Sequence, residues 1–124
     1  MLADDGVAAI QSTSVYYSKE SFLMIGRTLK AAGFTVVPYH HYVPAFGDWG
    51  YHLIKKENIS VAEMGAKFKA VSSLPVETNY ITTFLVSNSV DFGKNMLLSE
   101  YDGEINTLMQ PKLLMLYLKS WVTD

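Results

Sequence analysis

Residues 34–55 constrain the fold of this chain most, because two strand-like runs lie there only five residues apart. The first run covers residues 34–43 and the second covers residues 49–55, with the turn-rich sequence PAFGD between them. Strands this close in sequence pair antiparallel, so we expect a β-hairpin. Pro38 interrupts the first strand and has no N–H to donate, which predicts a sheet edge or a bulge at that position.

A strand and a helix are predicted before the hairpin. Residues 6–11 form a nearly continuous apolar run, which is typical of a strand buried on both faces. Ser18 is a suitable N-cap for a helix with apolar residues at helical spacing, and Gly33 is a suitable residue to end it. The first sixty residues therefore predict an α/β arrangement of strand, helix and antiparallel hairpin.

The rest of the chain, residues 57–124, is expected to be a mostly helical extension packed on the sheet portion formed by residues 1–56. Ser60 favours a helix through residue 70, a short helix is predicted near residues 82–88, and weaker helix signals occupy residues 94–100. Pro111 suits the first position of a last helix. That helix is apolar nearly all round, so we expect it to be packed rather than exposed.

Composition and charge exclude several functional classes. A formal net charge of -2 from 10 basic and 12 acidic residues provides no basic face for nucleic acid. The apolar runs are far shorter than the ~20 residues of a membrane span, so we expect no membrane contact from this chain. Cysteine is absent, which removes disulfides and thiolate sites and fits a reducing, cytoplasmic location.

Several local sequences follow the spacing of one protein family without gaps. These are AIQSTS at residues 9–14, RTL at 27–29, AGF at 32–34, PYH at 38–40 and VPAFGDWG at 43–50. They resemble the C-terminal third of bacterial spermidine synthase-like proteins, the polyamine aminopropyltransferases, and in particular a branch that often carries membrane segments upstream. The resemblance implies the C-terminal part of a Rossmann-like methyltransferase fold, followed by a helical tail.

The resemblance also implies a parent enzyme that transfers an aminopropyl group from decarboxylated S-adenosylmethionine to putrescine. In that family a Gly-rich loop holds this co-substrate, and acidic residues at the end of the next strand supply the base. No Gly-x-Gly-x-x-Gly sequence occurs here, and Asp4 and Asp5 stand at the wrong end of their strand. We therefore expect an inactive C-terminal piece without catalytic or cofactor-binding residues, in a parent that would carry any membrane anchor upstream.

One wall of the polyamine pocket is what the resemblance carries over to this chain. Gln11 matches a family glutamine near the diamine, and Trp49 matches a tryptophan that flanks the hydrocarbon chain of the diamine. Phe46 stands where many family members have a tyrosine. Aromatic rings bury methylene groups and attract ammonium ions. Taken without the resemblance, Gln11 indicates a strand end, while Phe46 and Trp49 are equally typical of packing within the hairpin.

The three histidines favour structural roles over a metal site. His40 and His41 are neighbours on a strand, so they point to opposite faces and cannot share one ion. His40 and His52 are predicted to face each other across the hairpin, without a third ligand in the sequence around them. Asp48 is predicted to be a turn residue rather than an amine ligand. No metal is expected.

Two other functions stay open. Half a sheet exposes an unpaired edge and an apolar flank, which predicts a non-catalytic oligomerisation module and a homo-oligomer. The loss of the tyrosine hydroxyl at Phe46 instead favours a methyltransferase relative that acts on an acceptor other than a polyamine.

Overall fold

A computed structural model describes residues 2–56, 59–99 and 103–121. In these residues the chain is a small α/β fold with one three-stranded sheet and four helices. The strands and helices, in chain order, are β1 (Val7–Ser14), α1 (Lys19–Ala31), β2 (Thr35–Val43), β3 (Gly47–Lys55), α2 (Val61–Lys69), α3 (Thr83–Asn88) and α4 (Lys112–Trp121).

The last strand in sequence lies in the centre of the sheet, whose order is β1-β3-β2. The predicted hairpin is confirmed, because β2 and β3 pair antiparallel from the Thr35–Lys55 pair to the Val43–Gly47 pair. β3 also pairs antiparallel with β1. β1 and β2 therefore run parallel to each other with β3 between them. Pro38 lies in β2 at the edge of this sheet, as its missing N–H predicts.

One face of β1 is more exposed than its apolar sequence predicts. Val7, Ala9 and Gln11 are exposed, and Val7 keeps 51% of its surface accessible. The prediction that β1 is buried on both faces was therefore wrong. α1 covers one face of the sheet, whereas on the other face α2 contacts β2 rather than β1. Within the described residues, β1 forms the second edge of the sheet.

The core lies between α1 and the sheet, and two glycines allow α1 to approach closely. Phe22 of α1 is buried against Gly50 of β3, where an added Cβ would lie 2.5 Å from the Phe22 ring. A Cβ on Gly26 of α1 would lie 2.7 Å from Nε2 of His52. Both distances are shorter than any normal contact. The spacing between α1 and the sheet therefore depends on glycine at these two positions, because neither carries a Cβ.

Three of the predicted helices after the hairpin are confirmed. Ser60 and Glu63 form a capping box at the start of α2, and Thr82 caps α3 by accepting from the N–H of Leu85. The last helix begins at Lys112, one residue after Pro111. Residues 94–97 form a turn and residues 98–99 have no regular structure, instead of the predicted helix, because Asn95 adopts a φ of 66°; residue 100 of that prediction lies outside the described residues.

α4 packs on α1 but leaves much of its apolar surface exposed. The hydroxyls of Ser18 and Ser120 lie 3.0 Å apart, and Nε of Arg27 donates to the carbonyl of Glu104 at 2.7 Å, which ties the tail to α1. The expectation of a packed last helix was wrong, since none of its residues is buried. A single contacting helix can cover only one side of α4. Across the described ranges, no helix combines the length and apolarity needed to cross a membrane.

Candidate ligand-binding site

The face of the sheet opposite α1 carries a row of aromatic side chains. Side chains alternate along a strand, and residues paired across strands share a face. β3 contributes two rings, β2 contributes the two rings that pair with them, and β1 contributes a glutamine that pairs with Tyr51. We call this set the aromatic face, and its members are Gln11, Tyr39, His41, Trp49 and Tyr51.

Three rings of the aromatic face, those of Tyr39, His41 and Tyr51, stack on one another. Tyr51 lies between His41, at a centroid distance of 5.0 Å and an angle of 4°, and Tyr39, at 5.2 Å and 16°. Phe68 of α2 packs on the far side of Tyr39. Burial raises the pKa of Tyr39, and the neighbouring Tyr51 adds to the increase. The phenol of Tyr39 therefore stays neutral at physiological pH and can donate a hydrogen bond.

Phe46 and Trp49 lie together at the turn end of the hairpin. Their ring centroids are 5.2 Å apart, and Phe46 is 59% exposed. Gly47 between them adopts a φ of +80°, which lets the chain turn from Phe46 into β3. Nε1 of Trp49 is buried without a hydrogen-bond partner in the described part of the chain. Buried donors normally find a partner, so this unpaired indole N–H is an unusual feature beside an exposed ring.

Gln11, the third residue predicted for the site, lies on the neighbouring strand. It is exposed and pairs with Tyr51, two positions along β3 from Trp49. The structure thus brings Phe46 and Trp49 into contact and places Gln11 on the same sheet face, further along the aromatic face. Tyr39, His41 and Tyr51 were not predicted for the site, although alternation along the two strands of the hairpin places them on the same face as Trp49.

The end of β1 has a strained backbone that sequence patterns did not reveal. The register of β1 against β3 shifts between Gln11 and Ser14, and Thr13 in that bulge adopts a φ of 65°. This conformation is rare for a β-branched residue, and such strain is concentrated at functional sites. The hydroxyls of Thr13 and Ser21 are buried without partners among the described residues. Both residues line a cleft of about 370 Å³ between β1, α1 and α4, which Gln11 also lines.

His40 and His41 point to opposite faces of β2, as predicted. His41 stacks on Tyr51, whereas His40 contacts Asp48 through Nδ1 at 2.7 Å. The prediction of Asp48 as a turn residue was wrong, because β3 already begins at Gly47 and Asp48 pairs with Tyr42. Among the residues that the structure describes, no three His, Asp or Glu side chains are grouped so that they could hold a metal ion.

The sequence is similar to curated polyamine aminopropyltransferases along nearly its whole length. The protein of that name from Shewanella oneidensis is 29% identical over 121 residues, which is 98% of this chain and 21% of the relative. Polyamine aminopropyltransferase 2 from Ralstonia nicotianae is 30% identical over 120 residues, 97% of this chain and 22% of the relative. The Mycobacterium tuberculosis protein is 41% identical over 59 residues, 48% of this chain and 11% of the relative.

These similarities confirm the resemblance that the sequence motifs indicated. The chain spans about a fifth of the length of the first relatives, 21% and 22% of two of them. No family model matches the chain. The chain is therefore similar to one part of these relatives.

Proposed function

We propose that this chain, which resembles polyamine aminopropyltransferases, forms the polyamine-facing wall of a spermidine synthase-like enzyme. The observation that carries the proposal is the aromatic face together with the contacting rings of Phe46 and Trp49 at its end. A polyamine is a methylene chain with ammonium ends. Stacked rings bury such a chain and attract its cationic ends, and Gln11 offers an amide oxygen as an acceptor.

The strand order supports a Rossmann-like methyltransferase fold for the parent protein. β3 lies antiparallel between two strands that run parallel to each other, which is how the sheet of that fold ends. In this proposal residues 1–56 are the end of the sheet and residues 57–124 are a helical extension of it. We place this part of the parent in the cytoplasm, in line with the cysteine-free sequence.

The proposed reaction of the parent is an aminopropyl transfer. The amine nitrogen of putrescine attacks the methylene carbon that is bound to the sulfonium of decarboxylated S-adenosylmethionine. The C–S bond breaks, its electron pair stays on sulfur as a neutral thioether, and the proton of the amine passes to a carboxylate. The aromatic face contains no carboxylate, so the base has to come from another part of the parent. Alone, this chain is expected to be inactive and to bind no adenosylated co-substrate.

A putrescine titration of the ¹⁵N-labelled chain tests the binding role directly. We expect chemical-shift changes at the indole N–H of Trp49 and at the side-chain amide of Gln11. Trp121 on α4 is the internal control, because its indole lies away from the aromatic face and stacks on Tyr17. Butylamine, which has one ammonium group, and sodium chloride at matched ionic strength are the ligand controls. Equal shifts at both indoles, or no shifts, would contradict the proposal.

A different acceptor amine is the main alternative within the same family. Phe46 has no hydroxyl to donate to an amine or accept from it, and its ring contacts Trp49 instead. Incubating the full-length parent with decarboxylated S-adenosylmethionine and a panel of amines separates the two cases. Preference for putrescine supports the first proposal, and preference for an amine with an apolar substituent supports the alternative.

The open edge of β1 favours a second candidate function, a homo-oligomeric assembly module. β1 has no charged residue and no proline, and in the described residues it pairs on one side only. Edge strands without such protection tend to pair with another strand. We propose that β1 pairs with β1 of a second copy when nothing else covers it.

Sedimentation velocity of three proteins tests the assembly. The wild-type chain should form a dimer that Ala9→Lys disrupts, since the substitution places like charges near each other in a symmetric pair. Ala62→Lys, at an exposed position of α2, is the matched control and should remain dimeric. A wild-type monomer at every concentration would rule out this function.

A further inference from the structure

Both ring nitrogens of His40 lie against hydrogen-bond acceptors. Nδ1 is 2.7 Å from Oδ1 of Asp48, and Nε2 is 2.5 Å from the carbonyl oxygen of Asp91. A carbonyl oxygen and an ionised carboxylate can only accept. Neutral imidazole has one N–H and can satisfy one of these acceptors, whereas imidazolium donates to both. The geometry therefore fits a doubly protonated ring, and we call His40, Asp48 and Asp91 the clasp.

The clasp joins three separate parts of the chain. His40 lies on β2, Asp48 on β3 and Asp91 in the segment that follows α3. The backbone N–H of His40 also donates to the carbonyl of Ser89 at 2.8 Å, and the ring of Phe92 lies 4.3 Å from the His40 ring. Residues 89–92 are thus held against the hairpin through both the backbone and the side chain of one histidine.

The clasp lies on the other side of the sheet from the contacting rings of Phe46 and Trp49, at the turn end of the hairpin. His40 pairs with Gly50 and Asp48 pairs with Tyr42, so the bond from His40 to Asp48 runs diagonally between the strands. Trp49 sits between those two register positions, with its side chain on the opposite face. Fixing Asp48 against β2 therefore fixes the backbone that enters Trp49 and the turn that carries Phe46.

We propose that His40, as an imidazolium held by Asp48 and the Asp91 carbonyl, is the positioning residue for Trp49 and Phe46. Loss of one proton removes one of the two bonds, so the end of the hairpin loosens as pH rises. The inference rests on the proposed function in one respect, the identity of what Trp49 and Phe46 bind. Its effect on Trp49 itself can be measured without any ligand.

The charged groups around the ring are consistent with this role. Asp48 approaches from β3, while the carboxylate of Asp91 turns away and accepts from the N–H of Gly93 at 3.0 Å. α1 approaches through Phe22, which packs on Phe92 at 5.7 Å and is apolar. His52 is the next titratable group on this face of β3, and its Nδ1 bonds to Ser12 rather than to the clasp. Asp48 is therefore the carboxylate that responds to the charge of His40.

Acrylamide quenching of Trp49 fluorescence tests the inference in a background of Trp121→Phe, which leaves a single tryptophan. We expect the quenching constant to rise by about twofold as pH rises and the charge-assisted bond is lost. His40→Gln in the same background should give the raised constant at every pH, because its amide can donate to one acceptor without titrating.

Glu77→Gln, at an exposed position outside both the clasp and the aromatic face, is the control and should leave the pH dependence in place. If His40→Gln does not fold by circular dichroism, Asp48→Asn replaces it. An asparagine can donate to neutral imidazole as well as accept from it, so the pH dependence should shrink markedly.

The inference is overturned if quenching stays constant while His40 titrates, or if His40→Gln keeps the pH dependence. No polyamine is present in these measurements, so either result leaves the proposed function standing. The converse outcome is quenching of Trp49 that depends on pH as expected, while putrescine causes no chemical-shift changes. That pair of results would overturn the proposed function and support the role of His40.

Discussion

Nδ1 of His52 lies 2.7 Å from Oγ of Ser12, and both side chains are almost fully buried beneath α1. The Ser12 hydroxyl donates its own proton to the carbonyl of Ile10 at 2.9 Å, so it accepts from His52. The imidazole ring stacks on Phe22 at a centroid distance of 4.4 Å. Burial lowers the pKa of His52 to about 4. His52 is therefore a neutral hydrogen-bond donor inside the core.

The first prediction concerns acid stability. In the unfolded chain His52 takes up a proton near its ordinary pKa of about 6.5, whereas the folded chain resists protonation until about pH 4. The contribution of His52 to the free energy of unfolding should therefore be fully present above about pH 7. Between about pH 6.5 and pH 4 the free energy of unfolding should fall by roughly 3 kcal/mol because of this group alone. Urea unfolding at a series of pH values measures the decrease.

His52→Phe keeps a ring against Phe22 and should remove most of that slope, although the loss of the Ser12 bond lowers stability at neutral pH. His41→Gln should leave the slope unchanged, because His41 lies outside the core. If His52→Phe shows the same acid slope as the wild type, burial of His52 is not its source.

The second prediction compares two glycines in helices. Gly26 faces His52 at a distance that a Cβ cannot occupy, whereas nothing lies within 4 Å of a Cβ built on Gly65 of α2. Gly65→Ala should stabilise the protein by about 0.5–1 kcal/mol through helix propensity. Gly26→Ala gains the same propensity but forces α1 away from the sheet, so it should destabilise by about 1–3 kcal/mol. Thermal unfolding of both variants gives the comparison, and equal signs would contradict it.

The third prediction concerns the start of α2. The Ser60 hydroxyl accepts from the N–H of Glu63 at 3.1 Å, and the Glu63 carboxylate accepts from the N–H of Ser60 at 3.3 Å. Ser60→Ala should lower stability by about 1 kcal/mol. Ser72→Ala, at an exposed position after the helix, is the control and should change stability by less than about 0.5 kcal/mol. Hydrogen exchange localises the effect: faster exchange should be confined to α2.

The fourth prediction concerns Phe46. Phe46→Tyr adds a hydroxyl to an exposed ring beside Trp49, and one new hydrogen bond of about 1 kcal/mol corresponds to roughly fivefold tighter binding of putrescine. Phe84→Tyr, on an exposed ring of α3, should leave binding unchanged. NMR titration of the three proteins measures the affinities. Tighter binding by both tyrosine variants would point to a general effect of the added hydroxyls.

Local patterns predicted the elements of this chain well, because each depends on residues that are close in sequence. The short link between β2 and β3 favoured a hairpin, which the structure contains. Ser60 caps α2 as predicted, and Gly33 ends α1 with a φ of +96°. The exposure of β1 and α4 was not predictable in the same way. Apolar sequences such as theirs indicate a buried surface, but they do not say what covers it.

The candidate site was predictable only where the family resemblance supplied it. Gln11, Phe46 and Trp49 came from matching motifs, and the contact between Phe46 and Trp49 then emerged in the structure. Thr13 could not be found, because its φ of 65° results from a bulge that depends on pairing with a strand more than thirty residues away. The hydrogen bonds of His40 could not be predicted either, because its second partner, Asp91, comes after α2 and α3 in the sequence, 51 residues later.

The central position of β3 also determines when this sheet can form during synthesis. β1 and β2 leave the ribosome first, yet each finds its hydrogen-bonding partner in β3, which ends at Lys55. Until that residue has emerged, neither β1 nor β2 can form its hydrogen bonds to β3, and α1 lacks the strand that carries Gly50 and His52. Termination before Lys55 would therefore leave β2 without its only partner among the described residues, whereas completion of β3 joins β1 to β2 in one step.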